Sequence, residues 1–439
     1  MTARLPADRR MLIGLASAAV ILAGLLVYTT GAALIVAALA ALAVLVLFPE
    51  ITLGLFLLSG VIKTPLASLA AAAGVELDIT VLIGLALLVG LVFRGMKAGF
   101  SSLIPPADCL VPLGCLSLII LLSTLFGPET PYGREKAFRF LTLTNLAVLA
   151  PFICLNSHSR LQRFLVINIV LGFFVLLFGR VTSEGLSAFG STHIAAGRTL
   201  GLGVLASAYL CFRQSSLLRR LLWLAVGTAL LAGFLLSGSR GSFVALVAAV
   251  AATGVMALAV RRGRRLVLAV SAVAGLATLG VTLFAPAAVE VMNRRLTATV
   301  ADPLTLTART RLDRATAAFD AFAASPLFGA GIGGFDMLFS NVDTGRGDYP
   351  HNVFLEVAAE LGLVGLAAFL LLLLRSLRRP FRALSYANRA AAASLALPRL
   401  ILALACYALV NALFSGDLND NRLLFAAIGM CFVPLEDQT

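Results

Sequence analysis

Residues 352–374 read NVFLEVAAELGLVGLAAFLLLLL, and Arg375 closes the run. The stretch exceeds the roughly 20 apolar residues that carry an α-helix across a bilayer. It also holds two acids, Glu356 and Glu360. Working outward, comparable apolar blocks occur at 11–29, 31–48, 51–62, 79–93, 107–126, 138–155, 163–179, 197–212, 220–236, 242–260, 266–284, 395–414 and 422–434, making fourteen segments in all. Those at 51–62 and 422–434 are short and read as tilted, re-entrant or interfacial. The expected fold is therefore all-α and polytopic, with about 12 transmembrane helices and 14 as the upper limit. Composition agrees: 60% of residues are hydrophobic, 13% are charged and the mean hydropathy is +1.00. A soluble chain is roughly half apolar and a quarter charged. A soluble enzyme and a secreted disulfide scaffold are both excluded.

The net charge of +13 is explained by topology without invoking nucleic acid as a partner. With the basic N-terminus (Arg4, Arg9, Arg10) in the cytoplasm, alternation places 19 of the 34 Lys and Arg on that side, including Arg94/Lys97, Arg261–Arg265 and the Arg375–Arg389 cluster. These lie in short loops at span ends, where the positive-inside rule acts. The first span is long and a second follows at once, so it reads as a retained anchor rather than a cleaved signal. Fourteen cations fall outside, several within a residue or two of an apolar block. An arginine-rich outer face handles something anionic. The six cysteines lie in or at spans with no C-x-x-C pair and read as small packing residues.

Three regions follow: an N-terminal transmembrane bundle at 1–284, a long outer loop at 285–350, and C-terminal transmembrane helices at 351–439. Within the loop, Thr307–Ser325 places Leu312, Ala315, Phe319 and Phe322 at helical spacing with Arg311, Arg314, Asp313 and Asp320 between them. This predicts an amphipathic helix ended by Pro326 and lying on the membrane surface or the bundle. Next comes Gly329-Ala-Gly331-Ile-Gly333-Gly334. A dinucleotide fingerprint needs a preceding strand and a following helix in a βαβ unit, and that context is absent. A sharp turn suffices, one that lets backbone N–H groups approach a ligand.

Three histidines occur: His158 in an inner loop, His193 in an outer loop, and His351 just before the 352–374 span. The field at a helix N-terminus disfavours imidazolium, so His351 is expected to be neutral and able to accept a proton. The same helix end can receive a phosphate. No metal-binding spacing and no serine-hydrolase, zincin or P-loop motif occurs, and no cofactor is expected.

The ordered run of Arg311, Pro326-Leu-Phe-Gly329-Ala-Gly331-Ile-Gly333-Gly334, and His351-Asn352-Val-Phe-Leu355-Glu356-Val-Ala-Ala-Glu360-Leu-Gly362 resembles the signature of O-antigen ligases and polymerases. The resemblance covers about 311–365 and implies a GT-C-type membrane glycosyltransferase at the outer leaflet of the bacterial inner membrane. It implies an undecaprenyl-diphosphate-linked glycan as donor and, for a ligase, a sugar hydroxyl of lipid A–core as acceptor, joined by inversion without a metal. By the same resemblance His351 would activate the hydroxyl and Arg311 would bind diphosphate, with Arg198 and Arg240 in the anion site and Arg309 and Arg314 beside Arg311. Gly329, Gly331, Asn352 and Glu356 would be structural members of the motif. An O-antigen polymerase and a protein O-oligosaccharyltransferase share the donor and stand as alternatives. An anion transporter is the alternative of a different class, but the basic and glycine features gather in one outer loop, which favours surface chemistry.

Overall fold

A computed structural model describes residues 40–64, 78–99, 104–182, 184–258, 306–340, 347–385 and 395–433. The expected spans at 11–29 and 266–284, most of the one at 31–48, and the loop before 306 lie outside these residues. The chain begins with α1 (Ala40–Leu47) and α2 (Pro49–Leu57), bent by 101° from each other. Phe48, between them, precedes a proline and takes φ −121°, ψ 68°, because the proline ring disfavours the α region for its predecessor. Then come α3 (Ile79–Ala98), α4 (Ala107–Phe126), and α5 (Pro131–Arg139), which runs through a π-turn at Phe140–Thr144 into α6 (Asn145–Cys154). Next are α7 (His158–Phe178), a hairpin of β1 (Gly179–Thr182) and β2 (Gly185–Ala188), α8 (His193–Arg213), α9 (Leu217–Ser237) and α10 (Arg240–Leu258). The described chain closes with α11 (Leu306–Ala324), α12 (Gly334–Ser340), α13 (Val353–Ser385), α14 (Ala396–Ala412) and α15 (Arg422–Met430).

Among the described residues, seven helices are long and apolar enough to cross a membrane, or eight if α1 and α2 form one broken span. The seven are α3, α4, the continuous α5–α6, α7, α8, α9 and α13, and each coincides with an apolar block of the sequence. The short blocks at 51–62 and 422–434 contain 9-residue helices, too short to span. Polar caps start the helices: Asp78 accepts from the Thr80 and Val81 amides, Thr130 from Gly133, and Thr192 from Ala195.

Helix α8 sits in the middle, against α7, α9, α10 and α14. It is the most buried span, at 67%, whereas α4 is only 28% buried and turns most of its surface outward. Alternation of the helices gathers Asp78, Pro131, His193, Arg240 and the start of α13 at one end of the bundle. Arg94, His158, Arg213 and the Arg375–Arg382 cluster lie at the opposite end. There Glu50 is buried between Arg94 (3.4 Å) and Arg163 (2.8 Å), tying α2 to α3 and α7.

The 352–374 block is not one straight helix. At Gly362, φ is 63° and ψ is −161°, which breaks α13 into limbs 353–361 and 363–385. The Phe354 and Phe369 rings meet 5.5 Å apart, although 15 residues of straight helix would separate them by about 22 Å. The second limb, about 34 Å long, carries the chain from the break to the Arg375–Arg382 cluster at the opposite end of the bundle. The break strips carbonyls and amides of their i→i+4 partners, and the glycine run replaces them. Ala330 and Gly331 donate to the Ala359 and Glu360 carbonyls (2.8 and 2.9 Å), while Leu363 and Val364 donate to Pro326 and Leu327 (2.8 and 3.2 Å). The Ala330 and Gly331 N–H groups are thus spent on helix carbonyls, which corrects the expectation that the glycine turn offers them to a ligand.

The splint demands backbone-to-backbone contact. A Cβ on Gly329 would lie 2.3 Å from the Glu360 carbonyl carbon, and one on Gly362 would lie 2.4 Å from that of Leu327. Both glycines also have positive φ, which costs other residues roughly 1–2 kcal/mol. Gly329→Ala and Gly362→Ala should each lower the melting temperature in detergent. Gly114→Ala, at a site with nothing within 4 Å, should leave it unchanged or raise it. Equal melting temperatures for all three variants would contradict the splint.

Candidate functional site

The first limb of α13 is held by a buried charge cluster. Glu356 and Glu360, four residues apart, share one helix face. Both contact the Lys136 ammonium of α5, at 2.6 and 2.7 Å, and all three side chains are at most 1% exposed. Glu356 also accepts from the Leu418 amide (3.0 Å), and the Asn419 side chain donates to the Lys136 carbonyl (3.1 Å). The Tyr132 hydroxyl donates to Asp417 (3.3 Å). Burial, reinforced by Asp420 and Glu356, pushes the Asp417 carboxyl up to about 7. The 413–421 turn is thereby fixed to α5 and α13, and its Ser415 carbonyl accepts from the Arg198 guanidinium at 2.6 Å.

At the start of α13, Asn352 caps the helix by accepting from the Phe354 and Leu355 amides (3.0 and 3.3 Å). His351, just before it, has φ 58°, a conformation in which histidine is among the commoner non-glycine residues. Its Nδ1 is buried without a hydrogen-bond partner. Burial, followed by the positive charges of Arg314 and Arg311, lowers the imidazole to about 4, against a smaller opposite pull from Asp348. Desolvation and guanidinium charge thus favour the neutral imidazole. The Tyr349 ring meets it edge-on at 4.4 Å. Burial, then the negative charge of Asp420, raises the Tyr349 phenol to about 12, so it stays protonated.

The expected arginines divide into three kinds. Arg314 is committed to Asp348 (2.6 Å), which is anchored in turn by Asp336 accepting from its amide (2.6 Å); the Arg314 guanidinium also lies over the Phe339 ring. Arg311 is half-buried on α11, pairs with no carboxylate among the described residues, and is shifted down by burial and then by Arg240. Arg198 is half-buried, its Nε atom is enclosed and unpartnered, and Asp420 and Tyr349 are near enough to act on it electrostatically. Arg309 belongs to the first turn of α11, and its side chain lies outside the described residues. Arg240 starts α10 and is exposed. His351, Arg311, Arg240 and Arg314 are thus near enough to act on one another electrostatically, as Tyr349 is to Arg311 and Arg198.

Other outer cations of the sequence reading are neutralised within the fold: Lys136 by two glutamates, and Arg139 by Asp78 and Glu135. Asp417, Asp420, Tyr132 and Tyr349 were not singled out by the sequence. Lys136 was legible in principle, because two carboxylates on one face of an apolar helix require a buried cation. Among the described residues, no three His, Cys, Asp or Glu side chains are grouped to hold a metal ion.

Residues 224–370 match the family model described as O-antigen ligase. The match runs from α9 into the second limb of α13, so it contains Arg240, Arg311, the glycine splint and His351, with Arg198 preceding it. Over this region the chain is similar to O-antigen ligases, and with the apolar helices the match indicates a multi-pass membrane protein. No curated protein matches the chain.

Removing one partner of a buried ion pair costs about 3–5 kcal/mol. Lys136→Met should therefore sharply reduce the folded protein recovered from membranes. Adding Glu356→Gln and Glu360→Gln to Lys136→Met should restore much of it, since no carboxylate is then left without its cation. A triple variant no better folded than Lys136→Met would mean that the cluster is not held by this charge balance.

Proposed function

We propose that this chain is an O-antigen ligase, transferring O-antigen glycan from undecaprenyl diphosphate to a sugar hydroxyl of lipid A–core with inversion and without a metal. The observation that carries this reading is a neutral histidine with an unpartnered ring nitrogen beside Arg311, which has no carboxylate partner among the described residues. His351 accepts the proton of the acceptor hydroxyl as its oxygen attacks the anomeric carbon. The anomeric C–O bond to diphosphate breaks on the opposite face, and the diphosphate leaves with the electron pair. Arg311, Arg240 and Arg198 meet the charge that develops on it. Guanidinium binds phosphate oxygens in bidentate fashion, and fixed cations in a water-poor site act most strongly where charge develops. Arg314, already paired, serves chiefly to hold Asp348 and the strap that carries His351.

In this reading the enzyme lies in the bacterial inner membrane with the site end facing the periplasm and both termini in the cytoplasm. A broken helix such as α13 also occurs in transporters, where free half-helix ends bind substrate. Here the backbone groups at the break are consumed by the glycine splint, so the transport reading gains nothing from it.

The test is lipopolysaccharide electrophoresis in cells lacking their own ligase. The wild type should restore long glycan on lipid A–core. His351→Asn tolerates the same backbone conformation and should lower transfer by about 10²–10⁴-fold, and Arg311→Ala by roughly 10²–10³-fold, both at normal membrane abundance. Because the imidazole is lowered from 6.5 to about 4, the base stays available throughout the neutral range. The transfer rate of purified protein should fall as pH drops through about 4, with no inflection near 6.5. Glycan that remains on the carrier but changes in length would favour a polymerase; glycan on protein would favour an O-oligosaccharyltransferase.

A further inference from the structure

At the end of the bundle opposite His351, the last turns of α13 carry Arg375, Arg378, Arg379 and Arg382. Spacings of three, four and seven residues put all four on one helix face. With Asp108 of α4 they line a cleft of about 390 Å³. Asp108 contacts Arg375 at 3.5 Å and Arg379 at 3.8 Å, and the Arg379 guanidinium also lies 4.8 Å from the centre of the Phe432 ring. Among the described residues, neither Arg378 nor Arg382 is paired with an acid. The cleft therefore holds four cations and one carboxylate.

A basic helix end at a membrane surface is accounted for by topology alone, but topology does not account for a formed cleft. Arg375 and Arg379 are pinned to a neighbouring helix and a ring, so part of the cationic surface is preorganised. The stripe of arginines continues directly into apolar surface. Leu371 and Leu374, one turn earlier on α13, are 41% and 64% exposed, and Val111 on α4 is 53% exposed. These side chains lie on the two helices that Asp108 joins, and α4 is the span with the most outward-facing surface. Guanidinium groups below an exposed apolar face match a molecule with a phosphate at one end and hydrocarbon at the other. A soluble phosphate would use the arginines and leave the apolar face unused.

We propose that the cleft between α4 and the end of α13 is a binding site for an anionic phospholipid, with the headgroup phosphate held by Arg378 and Arg382 alongside Arg375 and Arg379, and the acyl chains lying along Leu371, Leu374 and Val111. The site is independent of the glycosyl-transfer chemistry and requires only that the chain sit in a membrane. A lipid bound there bridges α4 to the second limb of α13 and stiffens that pair.

The experiment is native mass spectrometry of the full-length protein released from detergent after equilibration with phosphatidylglycerol or phosphatidylcholine of matched chains. The wild type should retain phosphatidylglycerol preferentially and should melt at a higher temperature in its presence. Arg378→Gln/Arg382→Gln should weaken retention by roughly thirtyfold, from two juxtamembrane cations. Arg219→Gln/Arg220→Gln, which removes two cations from the same end of the bundle on α9, should leave retention unchanged. Equal retention of both lipids by the wild type overturns the proposal without reference to any variant. So does equal loss in both double variants, which would indicate a diffuse charge effect. Displacement of the lipid by millimolar inorganic phosphate would assign the arginines to a soluble anion and overturn it as well.

Discussion

A helix broken within an apolar environment must find partners for the backbone groups that the break leaves unpaired. In α13 that requirement falls at Gly362, and the Pro326–Gly331 segment meets it with four backbone hydrogen bonds. Water cannot supply partners at membrane depth, where each unsatisfied group costs several kcal/mol. The glycine run and the bend in α13 are therefore one structural unit, although some thirty residues separate them in sequence. The bend turns the first limb back so that Phe354 packs on Phe369, and Phe369 and Phe140 both pack on Phe425 of α15. It also carries His351 to the end of the bundle where Arg240, Arg311 and Arg198 gather.

A buried ammonium holds the same limb from the other side. Lys136 sits between Glu356 and Glu360, and Glu356 extends the network to the 413–421 turn that engages Arg198. Buried ion pairs are seldom a net source of stability. Here the pairing fixes geometry, because the histidine strap and one of the arginines are both positioned by elements that meet at Lys136. The remaining cations at this end then separate by role. Arg139 and Arg314 are spent on carboxylates, while Arg311 has none among the described residues.

Much of the scaffold was legible in the sequence, because an apolar run of bilayer length has few alternatives. Helices α3, α4, α7, α8 and α9 fall where hydropathy placed them, and the amphipathic α11 spans Leu306–Ala324 against an expected 307–325. The short blocks at 51–62 and 422–434 do hold helices too short to cross. The bend at Gly362 was not legible, since hydropathy is blind to backbone direction and one glycine in an apolar run carries no signal alone. For the same reason the glycine run by itself reads as a ligand-facing turn. The partners of its amides lie on α13, and only the fold brings them together. His351 stands out by residue type and its place before a span, whereas Arg311 and Arg240 enter through the resemblance to the O-antigen ligase signature. Lys136 and the 413–421 turn were missed because their roles depend on pairings across more than two hundred residues.

The central claim is that the splinted bend presents a neutral His351 to an anion held by arginines. A cryo-electron microscopy map of the protein with a non-hydrolysable phosphonate analogue of an undecaprenyl-diphosphate sugar tests it most directly. The account predicts diphosphate density within hydrogen-bond reach of Arg311 and Arg198, with the anomeric carbon facing the His351 ring. Density seated away from these residues, with His351 remote from the sugar, would contradict it.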